Sequence, residues 1–172
     1  MLKAPIPANE DERLKALRDL LILDTPPEER FDRIVQFARD EFDVPIALLS
    51  LVDGDRQWFK ARVGLDAEET ARDISFCAHA IQQSEVFLVP DARQDLRFAD
   101  NPLVTGGPLI RFYAGAPLEL SPGVRVGTLC LIAPQPRELD EADIAILGVL
   151  RDLLLAELRG GEKAKGEDLE QA

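Results

Sequence analysis

Two pairs of strand-like segments, each joined by a short turn, constrain the fold of this chain more than any other feature of its sequence. The first pair joins residues 44–52, which are almost continuously apolar, to residues 56–63 through an Asp-Gly turn. The second pair joins residues 111–118 to residues 124–132 through a turn that contains Ser, Pro and Gly. Because a hairpin joins antiparallel neighbours, the sequence predicts a mainly antiparallel sheet.

Helical patterns flank both hairpins. Thr25 is a candidate N-cap for a helix, since two prolines follow it and Glu28 stands three residues later. Ser75 is a candidate cap for a short helix that extends to Gln83. The other predicted elements are helices at 10–21 and 140–159 and a short strand at 86–89. This order of elements predicts an α+β domain with helices on the faces of the sheet.

The predicted domain spans residues 10–159, and both ends of the chain are predicted to be flexible. Residues 1–9 and residues 160–172 lack apolar periodicity, and the second of these segments is either a tail or the stub of a linker. Residues 91–110 form a long loop that contains a Gly-Gly-Pro run. Loops of this length usually cover a binding site, so we predict a lid. The alternative is a surface crossover that packs its own side chains.

The charge of the chain narrows the choice of partners. It has 32 acidic and 20 basic residues, a formal net charge of −12, and such a surface repels nucleic acids and anionic membranes. No segment approaches the ~20 consecutive apolar residues of a membrane span, and no signal peptide is recognised at the N-terminus. The sequence therefore predicts a cytoplasmic protein with neither a nucleic acid nor a membrane as its partner.

Reactive side chains are few. The chain has two cysteines, Cys77 and Cys130, and one histidine, His79, which excludes mechanisms that need two histidines. Cys77 and His79 are two residues apart on a predicted helix and point in nearly opposite directions, so no shared metal or nucleophile–base pair is expected. We predict that Cys77 packs in the core and that His79 makes one hydrogen bond. Cys130 lies in an apolar strand and is predicted to be an inert core thiol.

Several short sequence blocks occur in an order that is typical of one family. Among them are Ser75-Phe76-Cys77-Ala78-His79-Ala80-Ile81, Val89-Pro90-Asp91-Ala92, Asp95-Leu96-Arg97-Phe98, Asn101-Pro102-Leu103-Val104, Arg111-Phe112-Tyr113-Ala114-Gly115-Ala116-Pro117-Leu118 and Gly127-Thr128-Leu129-Cys130. Over roughly residues 12–158, these blocks resemble the GAF domain. The chain is most similar to the subgroup that precedes diguanylate cyclase and sensor histidine kinase modules in bacterial signalling proteins.

The resemblance implies a central antiparallel sheet of five or six strands, helices on both faces, and a ligand pocket roofed by the third helix and the long loop. It also implies that the first and last helices form a homodimer interface, with a signalling output protein as a possible partner. The candidate pocket residues are Trp58, Phe76, Cys77, His79, Asp91, Arg97, Phe98, Asn101, Arg111 and Tyr113. The candidate dimer-interface residues are Leu14, Leu17, Ile146, Val149, Leu150 and Leu153.

Two groups of these pocket candidates have specific expected roles. Trp58 and Tyr113 are candidates to stack on a flat ligand, with ordinary core packing as the alternative. Arg97 and Arg111 are candidates to bind an anionic ligand beside Asp91. The alternative for these charged residues is a set of local salt bridges that shape the loop.

Relatives within the resembled family bind cyclic nucleotides, linear tetrapyrroles, haem or small acids. Tetrapyrrole attachment usually uses a cysteine directly before a histidine, but here Ala78 separates Cys77 from His79, and Ser75 stands where a related group has a second cysteine. The resemblance therefore argues against a covalent bilin, and it supports neither a cyclic nucleotide nor haem. Two cysteines are also fewer than the reductases of free methionine sulfoxide with this fold use. The ligand is expected to be an unidentified small molecule.

The sequence thus predicts a non-enzymatic sensory or regulatory domain. It would bind a small molecule or a partner beneath residues 91–110 and signal through its terminal helices and dimer interface. Two alternatives remain open. One is a small redox enzyme that uses Cys77, and the other is a purely structural dimerisation module whose pocket has collapsed.

Overall fold

The part of the chain that the structure describes is built around a six-stranded antiparallel sheet. A computed structural model describes residues 1–171, with side chains described for residues 1–160. The strands are β1 Ile46–Val52, β2 Arg56–Val63, β3 Glu69–Ala71, β4 Phe87–Val89, β5 Phe112–Ser121 and β6 Val124–Ala133. They lie in the order β3-β2-β1-β6-β5-β4, and each neighbouring pair is antiparallel. The predicted α+β fold with an antiparallel sheet is confirmed.

Helices cover both faces of this sheet. They are α1 Glu10–Asp19, α2 Glu29–Phe42, α3 Phe76–Ala80, α4 Pro102–Thr105 and α5 Glu141–Gln171. The first, second and fifth helices pack on what we call the helix face, and α3, α4 and residues 91–110 pack on the opposite side, the loop face. Within the described residues, no helix combines the length and the apolar composition needed to cross a membrane.

Four predicted helix boundaries differ from the structure; two differences are small, since α1 ends at Asp19 rather than at residue 21 and α3 ends at Ala80 rather than at Gln83. Helix α2 begins after Glu28 rather than after Thr25, and the Thr25 hydroxyl donates to the Ile22 carbonyl and accepts from Lys60 Nζ instead of capping the helix. Helix α5 continues beyond the predicted end near Arg159. Apart from its first residue, the predicted flexible segment 160–172 lies outside the residues whose side chains are described, so its flexibility stays a prediction.

A bulge in β2 changes which side chains face the helices. Consecutive residues of β1 pair with Ala61 and Phe59, so the extra residue in β2 is Lys60. One extra residue reverses the alternation of sides. Trp58 and Ala61 therefore both pack on the helix face, whereas Phe59 packs on the loop face. The strict alternation of a regular strand, which would place Phe59 and Ala61 on the same side, is thus interrupted at Lys60.

A buried ionic network ties α1 to the sheet and to the 3-10 turn that precedes α3. The Arg13 guanidinium donates to the Val52 carbonyl at 2.6 Å and to both carboxylate oxygens of Glu10 at 2.9 and 2.8 Å. Arg72, in the 3-10 turn, donates to the same carboxylate at 2.5 Å. Burial works to raise the pKa of Glu10, but the hydrogen bonds from Arg13 and Arg72 lower it to about 2. Glu10 is therefore a charged acceptor shared by two arginines at neutral pH.

Residues 1–9 contain no helix or strand, as the sequence predicts, but they contact the loop face. The Leu2 N–H donates to the Arg97 carbonyl at 3.2 Å, and His79 Nε2 lies 3.0 Å from the Leu2 carbonyl oxygen. The Gln82 side-chain amide donates to the Pro5 carbonyl at 2.8 Å. The predicted flexibility of this segment is a separate property and stays a prediction.

Candidate functional site

A cavity of about 400 Å³ lies on the loop face of the sheet. Its floor is formed by Leu48, Cys130 and Ile132, from β1 and β6. Helix α3 contributes Phe76 and Cys77, and residues 103–110 close the other side. This volume falls in the range of small-molecule binding sites.

The lining of the cavity is mainly apolar, and its buried polar groups are neutral. Gln57 is the central one: its Oε1 accepts from the hydroxyls of Ser50 at 3.1 Å and Ser75 at 2.9 Å, and its Nε2 donates to Thr70 Oγ1 at 2.6 Å. Asp66 stands at the exposed rim. Among the described residues that line the cavity, none is Lys, Arg or His.

Cys77 presents its sulfur to a cluster of hydrogen-bonding groups at the cavity wall. The Tyr113 hydroxyl donates to Cys77 Sγ at 3.1 Å, and the Thr128 hydroxyl lies 3.1 Å from the same sulfur. Burial opposes ionisation, but hydrogen bonds with Cys130, Ser50, Thr128 and Tyr113 lower the pKa of Cys77 to about 6. Hydrogen bonding with Cys77, together with burial, raises the pKa of Cys130. The cavity wall therefore carries two thiols that differ in acidity, of which Cys77 is the more acidic.

The family of the chain follows from a comparison of its whole sequence. A family profile described as GAF domain matches residues 26–158. The chain belongs to the GAF family. The assignment that the sequence blocks suggested is thus confirmed, and the cavity lies where the resemblance implies a ligand pocket, on one side of the sheet.

One relative of this GAF domain is a protein of Pseudomonas aeruginosa named cyclic di-GMP phosphodiesterase. The two sequences are 45% identical over 159 residues, which cover 92% of this chain and 27% of that protein. The chain therefore spans about a quarter of the length of the curated relative that it matches. The activity in that name belongs to the longer protein.

Solved structures with the same fold have diverse descriptions. The GAF domain of an Acinetobacter phosphoenolpyruvate-protein phosphotransferase has a TM-score of 0.65 and 19% identity, covering 91% of this chain and 96% of that chain. The free methionine-R-sulfoxide reductase of Neisseria meningitidis, solved with its substrate, has a TM-score of 0.65 and 17% identity, covering 95% of this chain and 98% of that chain. At such identities the likeness shows the fold alone.

Of the predicted pocket residues of this GAF domain, Phe76 and Cys77 line the cavity. Phe98 and Tyr113 are fully buried in the second layer behind them. The Phe98 ring stacks on Phe76 with centroids 4.1 Å apart, and the Tyr113 centroid is 5.2 Å from that of Phe76. For Tyr113 the alternative of core packing is therefore correct, with its hydroxyl bound to Cys77.

His79 and Cys77 are directed to different partners, as their spacing predicts. His79 Nε2 contacts the Leu2 carbonyl, and the ring packs edge-on against Phe98 at 4.8 Å. Burial lowers the pKa of His79, which favours its neutral form. Cys77 instead contacts Tyr113 and Thr128, so the two residues do not form a nucleophile–base pair.

Trp58 borders a separate cavity of about 530 Å³ beside α2 and does not line the cavity of the loop face. Its neighbour Gln57 lines the cavity, and successive strand side chains point to opposite sides of a sheet. Trp58 therefore packs in the helix-face core. Because the sequence does not specify which side of β2 faces the cavity, it could not distinguish these two positions.

The charged candidates form ion pairs on the long loop and are not among the lining residues. Arg111 binds both oxygens of Asp91 at 2.7 Å, and Arg97 binds both oxygens of Asp95 at 3.0 and 2.7 Å. The hydrogen bonds from Arg111 and Arg97 lower the pKa values of Asp91 and Asp95, respectively. The local salt bridges that the sequence offered as the alternative are therefore present, and neither arginine lines the cavity.

Asn101 positions the start of residues 103–110, the part of the long loop that lines the cavity. Its Oδ1 accepts from the Leu103 N–H at 2.9 Å, which caps α4, and its Nδ2 donates to the Ile74 carbonyl at 3.0 Å. Asn101 is thus a positioning residue outside the lining. Residues 91–101 are braced by their own contacts, and only residues 103–110 of the predicted lid border the cavity.

The sequence interpretation missed several lining residues, among them Gln57, Thr70 and Cys130. A signal existed for Gln57, because a polar side chain in the middle of a buried strand must satisfy its hydrogen bonds inside the protein. Thr70 lies in β3, which has three residues and too little pattern to be recognised. Cys130 was predicted to be an inert core thiol, but its strand forms the cavity floor.

The predicted dimer-interface residues separate into a core group and an exposed group. Leu17 and Leu150 pack in the helix-face core of the chain itself, so neither side chain is exposed for contact with a second copy. Val149 and Leu153 on α5 are 60% and 49% exposed. The two remaining candidates, Leu14 and Ile146, are partly buried.

Proposed function

We propose that this GAF domain is a non-enzymatic sensory module that binds a small, uncharged and mainly apolar molecule in its cavity. The supporting observation is the lining, in which the buried polar groups are neutral and mainly bound to one another. An anionic ligand would lose its hydration there without gaining a cationic partner from the described lining. A neutral ligand avoids that cost and gains the burial of its apolar surface.

The alternatives derived from the sequence have less support. A collapsed, purely structural module requires a filled interior, whereas the cavity here has a volume of about 400 Å³. A catalytic role for Cys77 has no support from His79, the single histidine of the chain, because His79 contacts the N-terminal segment rather than Cys77. We therefore favour reversible binding over turnover.

The proposed signal passes from the cavity to α1 through two polar contacts. Ser75 caps α3 and donates to Gln57 in the cavity, and Arg72, three residues earlier, binds Glu10 of α1. A ligand that moves α3 would therefore perturb the anchor of α1. In this proposal the domain acts in the cytoplasm, as part of or beside a longer signalling protein that supplies the output.

Ligand binding can be tested with a probe of the proposed chemistry. N-phenyl-1-naphthylamine is neutral and apolar, and its fluorescence rises in an apolar site. We expect saturable binding to the wild-type protein. We expect at least about tenfold weaker binding to Leu103→Trp, because the larger ring fills the cavity that Leu103 lines.

Leu96→Trp is the matched control for that experiment. Leu96 is on the same loop but is 94% exposed, so the added ring points to solvent and binding should be retained. Equal loss of binding in both variants, or no binding to the wild type, would contradict the proposal. Native mass spectrometry of freshly purified protein then identifies any molecule that the wild type retains and Leu103→Trp does not.

We further propose that the protein is a homodimer through the exposed stripe of α5. Val149 and Leu153 are four residues apart and lie on one side of this helix. In a Val149→Glu/Leu153→Glu variant we expect the dimer dissociation constant to rise at least about tenfold, because two apolar contacts are lost. Light scattering over a concentration series measures it.

Phe37→Glu is the control for this variant, since Phe37 is also an exposed apolar residue on a helix, 54% exposed on α2. It should leave the dimer intact. A wild-type protein that is monomeric at micromolar concentration and above would refute the dimer. Leu150→Glu is unsuitable as a test, because this buried side chain stabilises the fold itself.

A further inference from the structure

Both cysteines of the chain lie on the wall of one cavity, although they come from distant parts of the sequence. Cys77 is on α3, beside the opening under residues 103–110, and Cys130 is on β6 in the floor. Both are free thiols and both are buried. Thr128, whose hydroxyl lies 3.1 Å from Cys77 Sγ, is two residues before Cys130 on β6, so the side chains of Thr128 and Cys130 lie on the same side of the sheet as Cys77. Two thiols on the wall of a shared cavity can react with one another after either is oxidised.

The surroundings make the two thiols chemically unequal. Cys77 Sγ receives the Tyr113 hydroxyl at 3.1 Å and contacts the Thr128 hydroxyl at 3.1 Å, and hydrogen bonds of this kind stabilise a thiolate. The pKa of Cys77 is lowered to about 6, whereas that of Cys130 is raised. The opposite directions of the two shifts make Cys77 the more acidic thiol and therefore the one that ionises and attacks more readily.

The cavity selects which reagents reach these sulfurs. The described lining offers no cation to an anionic reagent. The Cys77 side chain is buried, so a reagent reaches its sulfur through the cavity rather than directly from bulk solvent. A hydroperoxide is small and uncharged, and a cavity of about 400 Å³ accommodates it easily. An anionic thiol reagent is disfavoured by the cost of desolvation, because the described lining offers it no cationic partner.

We propose that Cys77 and Cys130 form a peroxide-reactive pair, in which Cys77 is oxidised by a small hydroperoxide and Cys130 resolves the product into an intramolecular disulfide. The inference is independent of the apolar ligand proposed above. It requires no turnover, because each protein molecule reacts once with one molecule of peroxide.

The chemistry balances with hydrogen peroxide as the oxidant. The Cys77 thiolate attacks one peroxide oxygen: an S–O bond forms, the O–O bond breaks, and the leaving hydroxide takes a proton to become water. The Cys130 sulfur then attacks the sulfenic acid: an S–S bond forms, the S–O bond breaks, and the second hydroxide leaves with the Cys130 proton as water. Two thiols lose two electrons, and the peroxide is reduced to two waters.

The disulfide would join the roof of the cavity to its floor. Cys77 belongs to α3, and Cys130 belongs to β6 at the centre of the sheet. A covalent link between them restrains α3, which the polar contacts through Ser75 and Gln57 connect to the cavity. Oxidation is therefore expected to reduce access for the neutral probe N-phenyl-1-naphthylamine.

The test is treatment of the full chain with a small excess of hydrogen peroxide, followed by denaturation, alkylation and intact mass measurement. We expect the wild type to lose two hydrogen atoms and both alkylatable thiols, with a Cys77–Cys130 peptide pair found after digestion. Cys130→Ser should stop at the sulfenic acid and give a dimedone adduct at Cys77. Cys77→Ser should keep its remaining thiol under the same conditions.

Further variants separate this chemistry from loss of folding. Tyr113→Phe and Thr128→Val each remove one hydroxyl near Cys77 Sγ, and both should slow oxidation severalfold at pH 7 while thermal melting still shows a cooperative fold. Retention of both wild-type thiols, a disulfide between two chains, or a dimedone adduct only on Cys130 in the Cys77→Ser variant would each overturn the proposal. If the untreated wild type fails to bind N-phenyl-1-naphthylamine, the ligand proposal is refuted, and the peroxide proposal is still decided by the thiol measurements.

Discussion

Replacement of Arg13 by Ala is expected to cost roughly 3–5 kcal/mol of unfolding free energy. The guanidinium is 1% exposed and donates to the Val52 carbonyl at 2.6 Å and to the Glu10 carboxylate at 2.9 and 2.8 Å. Its removal leaves a buried carbonyl without this donor and leaves Glu10 dependent on Arg72. Urea denaturation followed by circular dichroism measures the loss.

Lys15→Ala is the matched control for Arg13→Ala. It removes a cation from the same helix, but the Lys15–Asp19 pair is fully exposed, and we expect no change beyond experimental error. If the two variants unfolded at the same urea concentration, the ionic network would not anchor α1. A double-mutant cycle with Glu10→Gln isolates the pairwise contribution, because both side chains belong to the same network.

Replacement of Gly64 by Ala is expected to be the second strongly destabilising change, with a cost of roughly 3 kcal/mol or more. Gly64 follows β2 and borders the cavity, with a φ of 82°. An added Cβ would lie 2.0 Å from the Pro45 carbonyl oxygen, which is fixed at the start of β1. The backbone would have to move, so we also expect weaker binding of the cavity probe.

Gly123→Ala separates steric overlap from backbone strain. Gly123 has a φ of 80°, almost the same as Gly64, but no atom lies within 4 Å of its added Cβ. The left-handed conformation alone costs about 1–2 kcal/mol for a residue with a Cβ. The melting temperature of Gly64→Ala should therefore be well below that of Gly123→Ala in thermal unfolding experiments. Equal melting temperatures would show that the approach to Pro45 relaxes without cost.

The hairpins and the larger helices were predictable because their signals are local. The Asp-Gly turn appears where β1 and β2 meet, with the Asp53 N–H donating to the Arg56 carbonyl at 2.8 Å. The Ser75 cap of α3 is also present, with its hydroxyl accepting from the Ala78 N–H at 3.1 Å. Turn chemistry and capping depend on residues within a few positions of one another, so a single sequence carries them.

The candidate site was predicted less well because it depends on which side of each strand faces the loop. Of the candidates from the sequence, Phe76 and Cys77 line the cavity, whereas Trp58 does not and its neighbour Gln57 does. The bulge at Lys60 further changes the side on which later residues of β2 lie. A one-residue shift in strand register transfers a side chain from one face of the sheet to the other, and local sequence propensities carry no information about that shift.

Arg13 illustrates the same limit for a charged residue. Within α1 it looks like one more surface arginine, because the helix is rich in charge. Only the packing of α1 beside the end of β1 buries it and brings Arg72 to the same carboxylate. Its importance arises from residues far apart in the chain.

Local patterns in the sequence thus indicated the GAF family and the antiparallel hairpins. They also predicted that the side chains of Cys77 and His79 point in different directions. The tertiary structure decided that the arginines of the long loop are bound to its own aspartates, that Leu150 is a core residue, and that Cys130 lies on the same cavity wall as Cys77. The physical reason is that turns, caps and periodicity act over a few residues. Burial, ion pairing and the placement of two thiols on one cavity wall instead depend on how β1, β6 and α3 pack together.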